Sequence, residues 1–365
     1  MSDAILRRLR PTQLREIILV LIILGLIIFF ATQIDNYVTG RTFNRITAAF
    51  PIVAILAVGQ VLVVLTRNID LSVGSQVGLV ALTLGTILRD AENVRFVPDL
   101  VELPLGPVVL IAIGMGMGAV MGAINGVIVA YGRVPAIITT LATLAIYRVV
   151  LLEVAEARTI ITSGFPEWVV RFQGTNMVEI GDVDIRVAFA LTLLVVAIGQ
   201  FVLRFLPYGR RLYAIGSNPD AASNAGLPMQ RDVFWAFVGS GAIAGLAGFV
   251  FLARFGNVSA TAGQGLELQV VAAVVVGGVH IFGGSGSMIG AFLGAVLIAL
   301  LQASLIRWIG ISDFMRDFLL GVLILIAVAS DKIVLGRLQD AWVRVKRRDE
   351  AAARASREAE SDHAR

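Results

Sequence analysis

From Ile17 to Ser330 the chain alternates long apolar runs with short polar interruptions, the pattern of helices that cross a bilayer repeatedly. The first run, Ile17 to Ala31, follows Arg7, Arg8, Arg10 and Arg15 without a small-residue cleavage site, so it reads as a retained span behind a cytoplasmic tail over 1–16. Further spans are expected at about Ile46 to Leu65, from Gly74 to Leu88, at about Pro107 to Ala130, and from Pro135 to about Leu152. The rest are expected at about Val187 to Leu203, Val233 to Ala253, Leu266 to Phe282, Met288 to Ile306 and Phe318 to Ser330. The acidic loops Arg89 to Gly106 and Glu153 to Arg186 suit the outer face, and the basic tail 331–365 the inner one. Both ends inside requires an even count. About ten spans satisfy every loop but the first, where Arg41 and Arg45 fall outside. The predicted fold is an all-α polytopic membrane protein.

One long polar stretch interrupts this pattern. Arg204 to Arg231 carries Arg204, Arg210, Arg211 and Arg231 between two apolar runs, which places it on the cytoplasmic side. Within it Asn218 can cap a helix, Pro219 fits the first helical position, and Asp220 suits the positive end of the dipole. Gly226 closes that helix and Pro228 prevents its resumption. The spacing predicts a short surface helix between two spans, equally a connecting loop and a docking element.

Composition narrows the chemistry. With 57% hydrophobic and 15% charged residues the chain is too apolar for an ordinary soluble domain, which carries about 25% charge. Cysteine is absent, so thiolate metal sites and cysteine nucleophiles are excluded. His280 and His363 leave little for imidazole chemistry, and no metal site or catalytic group is expected. The net charge of +4 resides in tails and loops and reads as membrane orientation, with no basic patch suited to nucleic acid. No GxxxxGK[ST] occurs, so energy for transport must come from elsewhere. The GMGMG run at Gly114 to Gly118 lies inside a span and reads as helix packing.

Two halves are discernible. Gly118, Gly122 and Gly126 in the fourth span are echoed by Gly286, Gly290 and Gly294 at the ninth, and DLSVG at Asp70 to Gly74 by ELQVV at Glu267 to Val271. Elements five spans apart point in opposite directions, as in the inverted repeats of many transporters. Glycine abundance alone accounts for such an echo equally well.

Three blocks carry a resemblance: NIDLSVGS at Asn68 to Ser75, AIGSNPDAASNAG at Ala214 to Gly226, and the long block from Gly265 to Leu301 that contains HIFGGSGSMIG. Together they resemble the ribose, xylose and autoinducer-type permeases of bacterial ABC sugar importers, nearest in wording to the rhamnose or autoinducer-2 branch. The resemblance implies a permease in the inner membrane, paired with itself or a sister permease, a cytoplasmic ATPase that binds ATP and Mg, and a periplasmic sugar-binding protein. It implies further that Asp220, Ala221, Ala222 and Gly226 form the coupling helix that docks on the ATPase; here Asp replaces the commoner Glu, and Pro219 precedes it. Asn68, Asp70 and Ser72 then become candidates for the translocation path, touching sugar hydroxyls at a broken helix, against a hydrated turn in which Asp70 caps the next span. Gln60, Asn125 and Glu267 join them, with packing or capping as the competing reading. The rival functions are a stand-alone secondary carrier or channel, told apart by whether transport needs ATP, and a membrane-embedded enzyme, disfavoured by the lack of a catalytic cluster.

Overall fold

The computed structural model describes residues 11–89, 106–155, 159–161 and 176–310, together with Met315, Phe318, Gly321, Val322 and Leu325. Residues 90–105 of the expected acidic loop, about half of the next outer loop, the bulk of the last span, residues 1–10 and the C-terminal tail lie outside these residues, whereas 11–16 of the expected N-terminal tail already belong to the first helix. Contacts divide the chain into units 1–320 and 321–365, and the helical bundle belongs to the first.

Helix α1 spans Pro11–Gln33, α2 Gly40–Ala49 and α3 Pro51–Val64. The second expected span is therefore two helices meeting at 41°. The break falls where Pro51, which has no N–H to donate, opens α3 at its first position. Every residue of α3 is buried, which makes it the centre of the bundle. A polar turn leads to α4, Val73–Arg89. Helix α5, Gly106–Gly126, runs into a π-helical turn over Val127–Tyr131, and after a short turn α6 covers Ala136–Ala155. Strand β1 (Ile160–Ile161) pairs antiparallel with β4 (Asn257–Val258), and β2 (Asn176–Ile180) with β3 (Val183–Arg186).

Further along the chain come α7 (Val187–Phe205), α8 (Pro207–Ser217), α9 (Pro219–Asn224), α10 (Met229–Phe255), α11 (Leu266–Val276) and α12 (Met288–Ile309). Among the described residues six helices are long and apolar enough to cross a membrane, α2 with α3 would make a seventh span, and α4 and α11 are shorter apolar helices. The eighth expected span is thus cut short. It stops at Val276 rather than Phe282, because Gly277 ends the helix and Gly278 turns the backbone to φ +81.

Exposed leucine, isoleucine and valine on α1, α6 and α7 form the faces such helices turn to lipid, while Leu19 and Ile23 of α1 pack on Leu297 and Leu300 of α12. Lipid gives no hydrophobic drive between helices, so close backbone contact has to hold them. Glycine supplies it. A Cβ on Gly118 would lie 2.0 Å from Gly241 O, and one on Gly122 2.2 Å from Phe237 O, so α5 and α10 meet backbone to backbone. Gly126 continues the stripe against Phe234. Gly290 and Gly294 of α12 press in the same way on Gly277 and on Ala273 of α11. Gly286 sits in the turn ahead of α12, at φ +148 against Val279, so it serves the turn rather than the helix face.

Candidate translocation and coupling site

The polar turn between α3 and α4 folds inward. Asp70 and Ser72 are fully buried, as are Gln60, Gln76 and Asn125. Asp70 Oδ1 accepts from the Ser72 N–H (2.9 Å) and from the Ser72 hydroxyl (2.6 Å). Ser72 Oγ in turn accepts from Gln76 Nε2 (2.8 Å) on α4 and from Asn125 Nδ2 (2.9 Å) on α5. The amide of Gln60, oriented by its neighbours, donates to Asp70 O (3.1 Å) and accepts from Asp70 N–H (3.2 Å). Thr140 of α6 donates to Ile69 O (3.2 Å). A chain that leaves helical geometry inside a membrane protein must find partners for its freed backbone groups, and these side chains provide them. The amide oxygens of Gln76 and Asn125 are buried with no partner.

Four of the six expected path residues, Gln60, Asp70, Ser72 and Asn125, therefore form one cluster, and Gln76 and Thr140 join it without having been expected. Gln76 lies one helical turn after Ser72, and that i, i+4 spacing of polar groups in an apolar run is the signal that could have found it. Asn68 stays outside the cluster and donates to Thr66 O and Thr66 Oγ1, both at 3.0 Å. Glu267, in the first turn of α11, accepts from Gly265 N–H (3.2 Å) and approaches the start of α4, where a Cβ on Gly74 would lie 2.2 Å from its Oε2.

The network makes a prediction for stability. Asp70→Ala strips the acceptor from three buried donors, the Ser72 N–H, the Ser72 hydroxyl and Gln76 Nε2 (3.4 Å), and is expected to cost about 2 to 4 kcal/mol. Asp70→Asn is expected to stay within about 1 kcal/mol, since its Oδ1 still accepts from both Ser72 donors and only the long Gln76 Nε2 contact (3.4 Å) is lost. Thermal unfolding of the purified variants in detergent reads both, and equal losses would contradict the network.

The polar stretch between α7 and α10 is two helices. α9 has the expected termini: Asn218 Oδ1 accepts from Ala221 N–H (3.0 Å), Pro219 opens the helix, and Gly226 leaves it at φ +73 with its N–H on Ser223 O (2.9 Å). Asp220, Ala221 and Gly226 are exposed, and Ala222 is buried beneath them. Losing the cap in Asn218→Ala is expected to weaken α9 by about 1 kcal/mol, seen as faster amide exchange over 219–225 with the rest of the chain unchanged.

The preceding α8 is anchored more firmly than the sequence suggests. Arg211 grips the buried carboxylate of Asp232, at the start of α10, through Nε (2.5 Å) and Nη2 (3.1 Å), and Tyr208 donates to Asp232 O (3.2 Å). Tyr213 donates to Gly286 O (2.7 Å); burial, with Glu16 nearby, pushes its hydroxyl up to about 12, so it remains a donor. Arg67 Nε donates to Gly216 O (2.6 Å) and its Nη2 to Ser217 O (3.0 Å). Helix α1 ties to both ends of the segment between α11 and α12: Arg15 donates to Gly278 O (2.9 Å), just after α11, and Glu16 accepts from Ser287 Oγ (2.5 Å) at the end of the glycine-rich turn 283–287. These pairs lie far apart in sequence, and no local spacing announces them.

Comparison with known proteins gives this geometry a context. A family described as the permease component of branched-chain amino acid transport systems matches residues 42–328, most of the chain and every element from α3 to α12. Among curated relatives, the autoinducer 2 import system permease protein LsrC of Enterobacter sp. (strain 638) is 34% identical over 333 residues, covering 91% of this chain and 90% of the relative. The proteins of that name from Salmonella typhi and Escherichia coli (strain K12 / DH10B) are each 32% identical over 338 residues, covering 93% of this chain and 90% and 92% of the relatives. No solved structure matches.

Proposed function

The chain belongs to the family of permease components of branched-chain amino acid transport systems, and from that membership we propose that it is the membrane permease of an ABC importer for a monosaccharide or autoinducer-2-like sugar. The observation that carries the proposal is the pairing of two features in one chain. A short, exposed, double-capped helix, α9, is tied to the bundle by α8, and a buried polar helix break lies directly beyond that tie. The first suits a partner that pushes. The second suits a solute that needs hydrogen bonds inside a membrane.

In this reading α8 and α9 face the cytoplasm with both termini, as the basic residues require. A separate ATPase binds ATP and Mg and docks on Asp220, Ala221, Ala222 and Gly226, and a periplasmic binding protein delivers the sugar. Two permeases, identical or sister chains, enclose the path. ATP acts through its different affinity for two states of the assembly, and rigid-body displacement of α9 tilts the spans between inward-open and outward-open forms. What supports an inverted arrangement of about ten spans is that α3, the 65–72 turn and α4 have a counterpart in α10, the 256–265 turn and α11, and that the start of α4 at Gly74 packs on the second turn at Gly263. The unpaired oxygens of Gln76 and Asn125 offer acceptors to sugar hydroxyls when the break opens.

Uptake by proteoliposomes holding the co-purified complex tests this directly, with D-ribose, L-rhamnose and autoinducer 2 as solutes. Accumulation of one of them that requires internal ATP and external binding protein is the expected result. Accumulation by the chain alone, without ATP, would move the assignment to a secondary carrier or channel.

A further inference from the structure

Three backbones converge where α8 ends. Gly216 has no room for a side chain there: a Cβ would lie 1.8 Å from Leu65 O at the end of α3 and 2.3 Å from Gly284 N in the glycine-rich turn. Gly284 N–H donates to Leu65 O (3.1 Å), which closes the third side. Arg67 spans the junction. Its backbone takes φ +67, a region L-residues rarely adopt, and its guanidinium donates to the Gly216 and Ser217 carbonyls, which lie at the negative end of the α8 dipole. The residue after Ser217 is Asn218, the cap of α9. In the other direction the turn runs from Arg67 through Asn68 and Ile69, whose carbonyl is held by Thr140, to Asp70 at the heart of the buried cluster.

We propose that Arg67 is the positioning residue that transmits a movement of α9 to the buried break around Asp70. A planar fork on two successive carbonyls fixes both distance and orientation, so a rotation of the α8–α9 corner turns the Arg67 backbone, and the short turn after it carries that rotation to Asp70 and Ser72. The strained φ belongs to the same residue whose guanidinium makes those two hydrogen bonds, which makes the turn sensitive to the corner's position. The inference rests on the importer reading.

The test uses the whole complex in proteoliposomes and compares wild type, Arg67→Ala and Arg67→Lys, reading both ATP hydrolysis and uptake of D-ribose, L-rhamnose and autoinducer 2. Arg67→Ala is expected to keep basal ATP hydrolysis within about twofold while sugar moved per ATP falls about tenfold, the size of a typical coupling loss. Arg67→Lys, which keeps the charge without the fork, is expected between the two. Uptake and hydrolysis falling in parallel at equal amounts of assembled complex would overturn the proposal, as would wild-type coupling in either variant. If Arg67→Ala yields no assembled complex, the ratio in Arg67→Lys decides alone. Wild-type uptake that persists with a hydrolysis-dead ATPase would refute the importer reading instead.

Discussion

Gly118→Leu is expected to leave essentially no folded protein, while Gly116→Leu, two residues away in the same GMGMG run, is expected to fold as wild type. The reason is which backbone each glycine faces. At Gly118 a first side-chain carbon would already stand 2.0 Å from Gly241 O and 2.7 Å from Gly245 N, and main-chain atoms of α10 cannot rotate aside. The helices would have to separate. Since α10 also packs on the fully buried α3, separation would open the centre of the bundle and cost more than the roughly 1 to 3 kcal/mol of ordinary overpacking. Gly116 meets nothing within 4 Å. Size-exclusion profiles of the detergent-solubilised variants check the contrast, and similar profiles would contradict the backbone contact.

Gly226→Pro and Asp220→Arg are expected to abolish uptake while leaving the bundle intact. Proline locks φ near −65°, whereas position 226 needs +73°, and proline also deletes the N–H that closes α9 on Ser223 O. Asp220→Arg places a cation at the positive end of the α9 dipole, on its exposed docking face. Neither site packs in the core, so thermal stability in detergent is expected to change by no more than about 1 kcal/mol. ATP-driven uptake, measured with hydrolysis in the same vesicles, is expected to fall about a hundredfold, near the upper end of measured couplings. Normal uptake in both variants would sink the coupling role of α9.

How much of the fold and site is legible in the sequence depends on the range of the interaction. The termini of α9 are readable because Asn218, Pro219 and Gly226 act on their own backbone within a few residues. The glycine stripe of α5 is readable because four-residue spacing marks one helix face, though its partner on α10 is not. Asp70 and Ser72 stand out as polar groups between apolar runs. Their burial does not, because it depends on Gln60, Asn125 and Thr140 arriving from other helices. The bend at Pro51 escapes because the apolar run continues through it, and hydropathy cannot register a 41° change of direction. Arg211 with Asp232, and Arg67 with the end of α8, escape for a related reason: membrane orientation already accounts for the basic residues.

The central claim is that this permease is driven by a separate ATPase. The most direct measurement is a mild-detergent pull-down of the tagged full-length chain from its native membrane, with the co-purifying proteins identified. Recovery of a Walker-motif ATPase, lost when Asp220→Arg is used as bait, is the predicted result. A chain that purifies alone and still transports sugar in ATP-free vesicles would contradict the account.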